Sequence, residues 1–195
     1  RMGEAMHVLA AAGITTREAC GNSVRNVTTS ANAGVAADEA FDPTPYARAF
    51  TRYFLRHPLS SSLPRKFKVA FSGGGDDHAN VVVNDLGFTA CVRDGVRGFR
   101  VTAGGGTALM CTSARELAAF VPAEELLGIA EAVVRVFHAR GDREHRKKNR
   151  MKFLVKQLGW DAFHALVQTE LAALGAPPKL ELDAHVEAPP ERRAP

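Results

Sequence analysis

The spacing of apolar and polar positions divides the chain into a helical start, a β-rich middle and a helical end. Residues 3–12 are alanine-rich and predict a helix that stops near Gly13. In Thr15-Thr16-Arg17-Glu18 a hydroxyl is followed three residues on by an acid, which predicts a capping box and a short helix ended by Cys20-Gly21. Residues Gly21 to Val35 are rich in Gly, Asn, Ser and Thr and predict a loop. Over residues 44–57, Tyr46, Phe50, Tyr53 and Phe54 recur at helical spacing, the stripe of a helix that faces a core. Pro58 and the serines 60–62 end it.

From Pro64 onward the period becomes two. Pro64 disfavours helix at the residue before it, so the chain enters extended. Lys66, Lys68 and Ala70 then alternate with Phe67, Val69 and Phe71. A Gly73-to-Asp77 turn and the short apolar run Val81 to Val83 follow. Phe88 to Val92 and Gly98 to Thr102 predict two strands of an antiparallel hairpin, joined at Asp94-Gly95. Pro122 suits a first helical turn, and Glu124-Glu125 suit its positive end. Leu126, Ile129, Ala130, Val133, Val134 and Phe137 share one face of the helix that runs to about Arg140. Gly141 breaks it, and two further helices are predicted at 143–158 and 161–174. The expected fold is α+β: a mixed or antiparallel sheet around residues 66–103, packed by helices 44–57, 122–140, 143–158 and 161–174.

Composition narrows this picture only slightly. The chain has 195 residues, 46% of them hydrophobic, enough for one domain with a real core. A net charge of +4 is compatible with anionic ligands without singling out nucleic acid. The 3 cysteines, Cys20, Cys91 and Cys111, form no CxxC pair and no disulfide framework, which fits a reduced, cytoplasmic setting. No apolar run approaches the ~20 residues of a membrane span, and Arg1-Met2-Gly3 does not open a signal peptide. Without a Met at position 1, the chain reads as a piece of something longer. His7, His57, His78, His138, His145, His164 and His185 include no HExxH and no close pair, so no metal site is expected. After Gly175 the prolines 177, 178, 189, 190 and 195, with Glu191-Arg192-Arg193, predict an extended or disordered tail.

The candidate chemistry is cationic. Leu63-Pro64-Arg65-Lys66-Phe67-Lys68 places two lysines on one strand face beside an arginine, while the apolar face anchors the strand. Such an edge suits a small anion or an acidic cofactor; an edge strand whose lysines discourage aggregation has the same pattern. Upstream, Arg25 sits between Val24 and Val27 in Gly21-Asn22-Ser23-Val24-Arg25-Asn26-Val27-Thr28, either a surface arginine or a ligand-facing one. Gly104-Gly105-Gly106 follows a strand, where glycines allow a close backbone approach or a flexible loop; no GK[ST] follows, so it is not a Walker loop. Arg140, Arg143, Arg146, Lys147, Lys148, Arg150 and Lys152 crowd one segment, and on a helix Arg143, Arg146, Lys147 and Arg150 would share a face. That face is either solvated or built to bind a polycarboxylate.

These segments, with Asn84-Asp85-Leu86-Gly87-Phe88 and Arg146 to Phe153, resemble the sirohaem pocket of the nitrite/sulfite reductase haemoprotein family. Each motif alone is weak; five in family order, over most of residues 15–170, are specific. The resemblance implies residues 1–20 as the end of a preceding half-domain, 21–174 as a sirohaem-binding domain and 175–195 as a linker. It implies an oxidoreductase that reduces sulfite (or nitrite) by six electrons. Arg25, Lys66 and Lys68 would be its catalytic cations; Asn26, Arg65, Gly104, Gly105, Gly106, Arg150 and Lys152 would contact the cofactor. Sirohaem carries eight carboxylates, and this helix would neutralise part of them. Nitrite-using relatives commonly place Asn where this chain has Lys68, so sulfite is the expected better substrate.

The family also holds a 4Fe-4S cluster on four cysteines in a C-x5-C and C-x3-C arrangement, which this sequence lacks. Thr29-Ser30 stands where many relatives have Ala-Cys-Pro. The expected partners are therefore the remaining half of the reductase and an electron donor such as ferredoxin or a flavoprotein, with the chain alone incomplete and inactive. Two other readings stay open: a non-catalytic basic module that binds nucleic acid, and an inactive truncated remnant. Against the first, aromatic residues are sparse on the basic stretches and no nucleic-acid motif is present.

Overall fold

The computed structural model describes residues 1–183. The predicted character of Pro189-Pro190, Glu191-Arg192-Arg193 and Pro195, and the reading of His185, lie outside the described residues. In chain order the elements are α1 (Met2–Ala11), β1 (Val24–Thr29), α2 (Thr44–Phe54), β2 (Phe67–Ser72), β3 (Leu86–Arg93), β4 (Val96–Ala103), β5 (Arg115–Pro122), α3 (Leu126–Arg140), α4 (Met151–Leu158) and α5 (Trp160–Leu174). Short 3-10 turns cover Ser60–Ser62, Val81–Val83 and Ala123–Glu125.

The strands form one mixed sheet in the order β1-β2-β3-β4-β5. β1, β2 and β3 run parallel, and β3, β4 and β5 run antiparallel. The expected α+β class holds, and the hairpin turns at Asp94-Gly95, both with positive φ, the conformation a two-residue type I′ turn requires. β5 is a strand the hydrophobic pattern did not bring out, although Leu117 and Val121 are buried on it. Its ladder with β4 shifts register twice, and the shifts blur the period of two.

Phe67, Val69, Phe71, Leu86, Phe88, Phe99 and Val101 are fully buried on one sheet face. Phe71 and Phe88 stack with centroids 4.8 Å apart, and Phe50 of α2 meets both rings. α3 is buried on nearly every side from Leu126 to Val134, because it lies between the sheet and α5. Its Glu131 is 4% exposed and is held by Tyr53, by Arg135 at 2.7 Å and by His57 at 3.9 Å. Burial lowers the His57 pKa despite that neighbouring carboxylate, and burial, with the bond to Glu131, raises the Tyr53 hydroxyl.

Three expectations are corrected here. The capping-box helix at residues 15–20 does not form: Glu18 takes a left-handed φ of 56°. Its carboxylate instead accepts the Arg56 N–H at 2.8 Å and the Ser60 hydroxyl at 2.7 Å. The loop predicted over 21–35 contains β1, because parallel pairing with β2 supplies partners that the Asn- and Thr-rich sequence does not advertise. The third predicted helix shrinks from 143–158 to α4. Asp142 accepts the N–H groups of Glu144 and His145 at 2.8 and 2.9 Å, a side-chain turn that competes with helix. Arg150 is extended, with ψ 154°, and the lysines and arginines before it are exposed in turns.

Residues 175–183 have no regular secondary structure but are docked on the body. Arg52 of α2 bonds Asp183 at 2.8 Å and the Glu181 carbonyl at 2.8 Å, and Leu180 packs on the core. Among the described residues, no helix is long and apolar enough to cross a membrane. Two outcomes follow. Phe50→Ala should cost about 3–5 kcal/mol in urea denaturation. Because His57 has a folded pKa below its unfolded value near 6.5, the unfolded chain binds more protons there. Stability should therefore rise with pH through the acidic side of 6.5, and His57→Gln should flatten that rise.

Candidate functional site: a cationic cavity

β2 is not an edge. It lies between β1 and β3, so the anti-aggregation reading of its lysines fails and their position needs another cause. Arg25 of β1 is the register partner of Lys68, and neighbouring partners in a sheet share a face. Lys66, two residues before Lys68, lies on the same side. Directly after Arg25 the ladder slips by one residue, and Asn26 is the extra residue, in the left-handed region at φ 54°. Asn tolerates that conformation better than most residues, which explains its presence at the bulge. Arg25 Nη1 donates to the Ala19 carbonyl at 3.2 Å, while its Nε is buried without a partner.

A cavity of about 490 Å³ opens beside this face, lined by Arg65, Lys66, Arg146, Lys147, Arg150, Lys152, Thr107, Ala108, Leu109 and Phe153. Lys66 has its pKa lowered by burial and then by the charges of Arg150, Lys68, Arg25 and Arg65. The charges of Arg25, Lys68, Arg65 and Arg150 therefore all bear on Lys66, although Arg25 and Lys68 are not among the residues that line the cavity. Arg143, grouped by spacing with Arg146, Lys147 and Arg150, does not join them. It is turned away to the Ser62 and His138 carbonyls at 2.8 Å each.

The anchor of this arrangement is Asp85, which the sequence reading placed in a motif without assigning it a role. Fully buried, its carboxylate accepts Arg150 Nη2 at 2.7 Å and the Lys68 N–H at 2.8 Å. Its carbonyl accepts the Gly104 N–H at 2.9 Å. Burial pushes the Asp85 carboxyl up, and Arg150 with the Lys68 N–H pulls against that push. An acid immediately before an apolar strand, with an arginine near the next helix start, is the only signal the sequence offers for it.

The three glycines serve the wall from behind. A Cβ on Gly105 would strike the Val82 carbonyl oxygen, and one on Gly106 would lie 2.9 Å from Lys152 Cδ. The run is thus a close-approach segment, not a flexible loop. Lys152 is 3% exposed and donates to the Thr107 carbonyl at 2.6 Å.

Fold and cavity together define an α+β domain with a cavity lined largely by cations. The chain belongs to the family described as nitrite and sulphite reductase 4Fe-4S domain, whose model matches residues 20–173. It is 34% identical over 165 residues to a ferredoxin–nitrite reductase of Leptolyngbya laminosa, covering 82% of this chain and 32% of that one. It is 34% identical over 163 residues to sulfite reductase [ferredoxin] 1 of Mycolicibacterium paratuberculosis, covering 83% and 29%. The solved Mycobacterium tuberculosis NirA protein superposes with a TM-score of 0.79 at 33% identity, over 94% of this chain and 33% of that one. The chain thus spans about a third of the length of these relatives.

The cluster named in the family's description does not fit these residues. Cys20 and Cys111 are exposed and Cys91 is partly so. Among the described residues no group of three or more His, Cys, Asp or Glu is placed to hold a metal. The cavity's lining of Arg65, Lys66, Arg146, Lys147 and Arg150 does fit a polycarboxylate.

Removing Asp85 tests the anchor. Asp85→Asn should destabilise the chain by about 3–5 kcal/mol, since it leaves a half-buried arginine without its counter-charge. Arg150→Met together with Asp85→Asn should cost less than the two single losses summed, as a double-mutant cycle in urea would read.

Proposed function

We propose that this chain is the sirohaem-binding part of a sulfite or nitrite reductase, with the cationic cavity as its cofactor and oxyanion site. The observation that carries this reading is a cavity lined by Arg65, Lys66, Arg146, Lys147 and Arg150, with the charges of Arg25 and Lys68 acting on Lys66 from the adjoining strands. Their like charges repel, and the counter-charge recorded among the described residues is the one carboxylate of Asp85. The remainder is relieved by a ligand that brings several carboxylates. Cations gathered around one cavity suit that ligand better than a nucleic-acid backbone, which is tracked by an extended stripe.

Within this reading Arg65, Arg146, Lys147 and Arg150 hold peripheral carboxylates. Bound sirohaem would supply the iron that receives the anion and passes electrons to it. Arg25 offers a planar, permanently charged fork to the oxygens of sulfite or nitrite. Lys66 and Lys68 donate hydrogen bonds as negative charge builds on those oxygens. Lys66, with its pKa lowered, gives up a proton more readily than a solvated lysine. Asn26 acts through the bulge that aims Arg25. The relatives' names support ferredoxin as donor and a longer protein as the catalytic unit.

Titration of the chain with sirohaem should shift its visible spectrum saturably. Arg65→Met and Arg146→Met should each weaken that binding by about tenfold, the scale of one lost charged hydrogen bond. A spectrum that never saturates sinks the assignment. In the complete enzyme, the ammonium of Lys68 should favour the more highly charged sulfite, so kcat/KM for sulfite should exceed that for nitrite and Lys68→Asn should narrow the gap. A preference for nitrite in steady-state kinetics overturns the substrate part alone.

A further inference from the structure

We propose that Lys152 is a positioning residue that holds loop 107–111 as an apolar part of the lining of the cationic cavity. This rests on the polycarboxylate reading of the cavity and adds what grips the ligand's apolar surface.

Two ties fix the loop. Gly106 and Thr112 pair across its base, N–H to carbonyl in both directions at 2.9 and 3.0 Å. Above that bridge, Lys152 Nζ donates to the Thr107 carbonyl at 2.6 Å. The lysine passes close to Gly106, where a Cβ would lie 2.9 Å from its Cδ. Between the ties, Ala108 and Met110 both take positive φ, 66° and 56°, a conformation that neither residue favours. Two such residues in one short loop persist only where the surroundings over-determine them. The consequence is that Leu109 stands 61% exposed at the cavity rim, with Ala108 beside it.

The cavity's lining therefore combines two unlike kinds of group: Arg65, Lys66, Arg146, Lys147 and Arg150 are cationic, while Ala108 and Leu109 of the loop and Phe153 of α4 are apolar. A small oxyanion has no use for the apolar groups. A flat, largely apolar ring with a charged rim uses both, because its face loses water against Leu109 while its carboxylates meet the cations. Lys152 lines the cavity, but its stem is buried against Gly106 and its ammonium is already bonded to a backbone carbonyl, which places it to hold the loop. Its burial also lowers its pKa, so the tie weakens at alkaline pH.

The test uses the 195-residue chain, with uroporphyrin III, a metal-free octacarboxylate, as probe. Lys152→Met keeps the stem and removes the donor; Lys152→Arg restores one. Two quantities are read: the probe's dissociation constant from absorbance, and chymotryptic cleavage after Leu109 in the free protein, followed by mass spectrometry. Lys152→Met should speed cleavage after Leu109 and weaken probe binding, each by roughly tenfold, with Lys152→Arg recovering most of both. Leu109→Ser should weaken the probe several-fold with cleavage elsewhere unchanged. If Lys152→Met weakens the probe yet leaves cleavage after Leu109 as it was, the lysine touches the ligand directly and the positioning role is wrong. If it changes neither, the role is wrong as well. Should the unaltered chain fail to bind the probe while Lys152→Met still frees the loop, the cofactor reading falls and the loop-holding role stands.

Discussion

A single buried carboxylate makes this site possible. Asp85 lies where β3 begins and touches three separate pieces of chain: the Lys68 N–H, the Arg150 guanidinium and, through its carbonyl, Gly104. Taking a carboxylate wholly out of water costs several kcal/mol even after relaxation. That cost is offset only while the arginine and the N–H stay in place. The same desolvation that penalises the acid thus locks β2, the glycine segment and the start of α4 into one geometry. An apolar substitute could pack there, but it could not hold an arginine at the rim of a cavity already crowded with positive charge.

The surplus of cations is the other half of the physics. Four further positive groups act on Lys66, which is itself only half-buried. A fold keeps such a cluster by tying it to a rigid frame, here a central strand with Phe67, Val69 and Phe71 sunk into the core on its other side. The aromatic face therefore holds the strand against the repulsion that its opposite face generates. On the far side of that core, Glu131 is surrounded by Tyr53, Arg135 and His57, a separate buried network that fixes α2 to α3 and leaves the cavity's balance untouched.

Much of the fold was legible in the sequence because its signals are local. The Asp94-Gly95 turn, the aromatic stripe of α2 and the apolar face of α3 each follow from a few neighbouring residues, whereas the burial of α3 on nearly every side does not. Where the reading failed, a distant partner had overruled the local preference. Glu18 gave up a helix cap to serve Arg56 and Ser60, nearly forty residues away, and β1 formed from polar residues because β2 lay beside it. The basic run before α4 has helical spacing, yet a turn at Asp142 and the extended Arg150 redirect it.

The sequence by itself determined the materials: an α+β chain, a lysine pair on one strand face, an arginine in an upstream segment, a glycine run and a block of positive charge in family order. Only the tertiary structure decided how they meet. It set Arg25 beside Lys68 through parallel register, turned Arg143 away, spent Lys152 on a backbone carbonyl and gave Asp85 its anchoring place. The physical reason is range. Periodicity and turn chemistry act over a few residues and can be read along the chain. Burial and Coulomb attraction act through space, between groups whose separation in sequence carries no record of their contact.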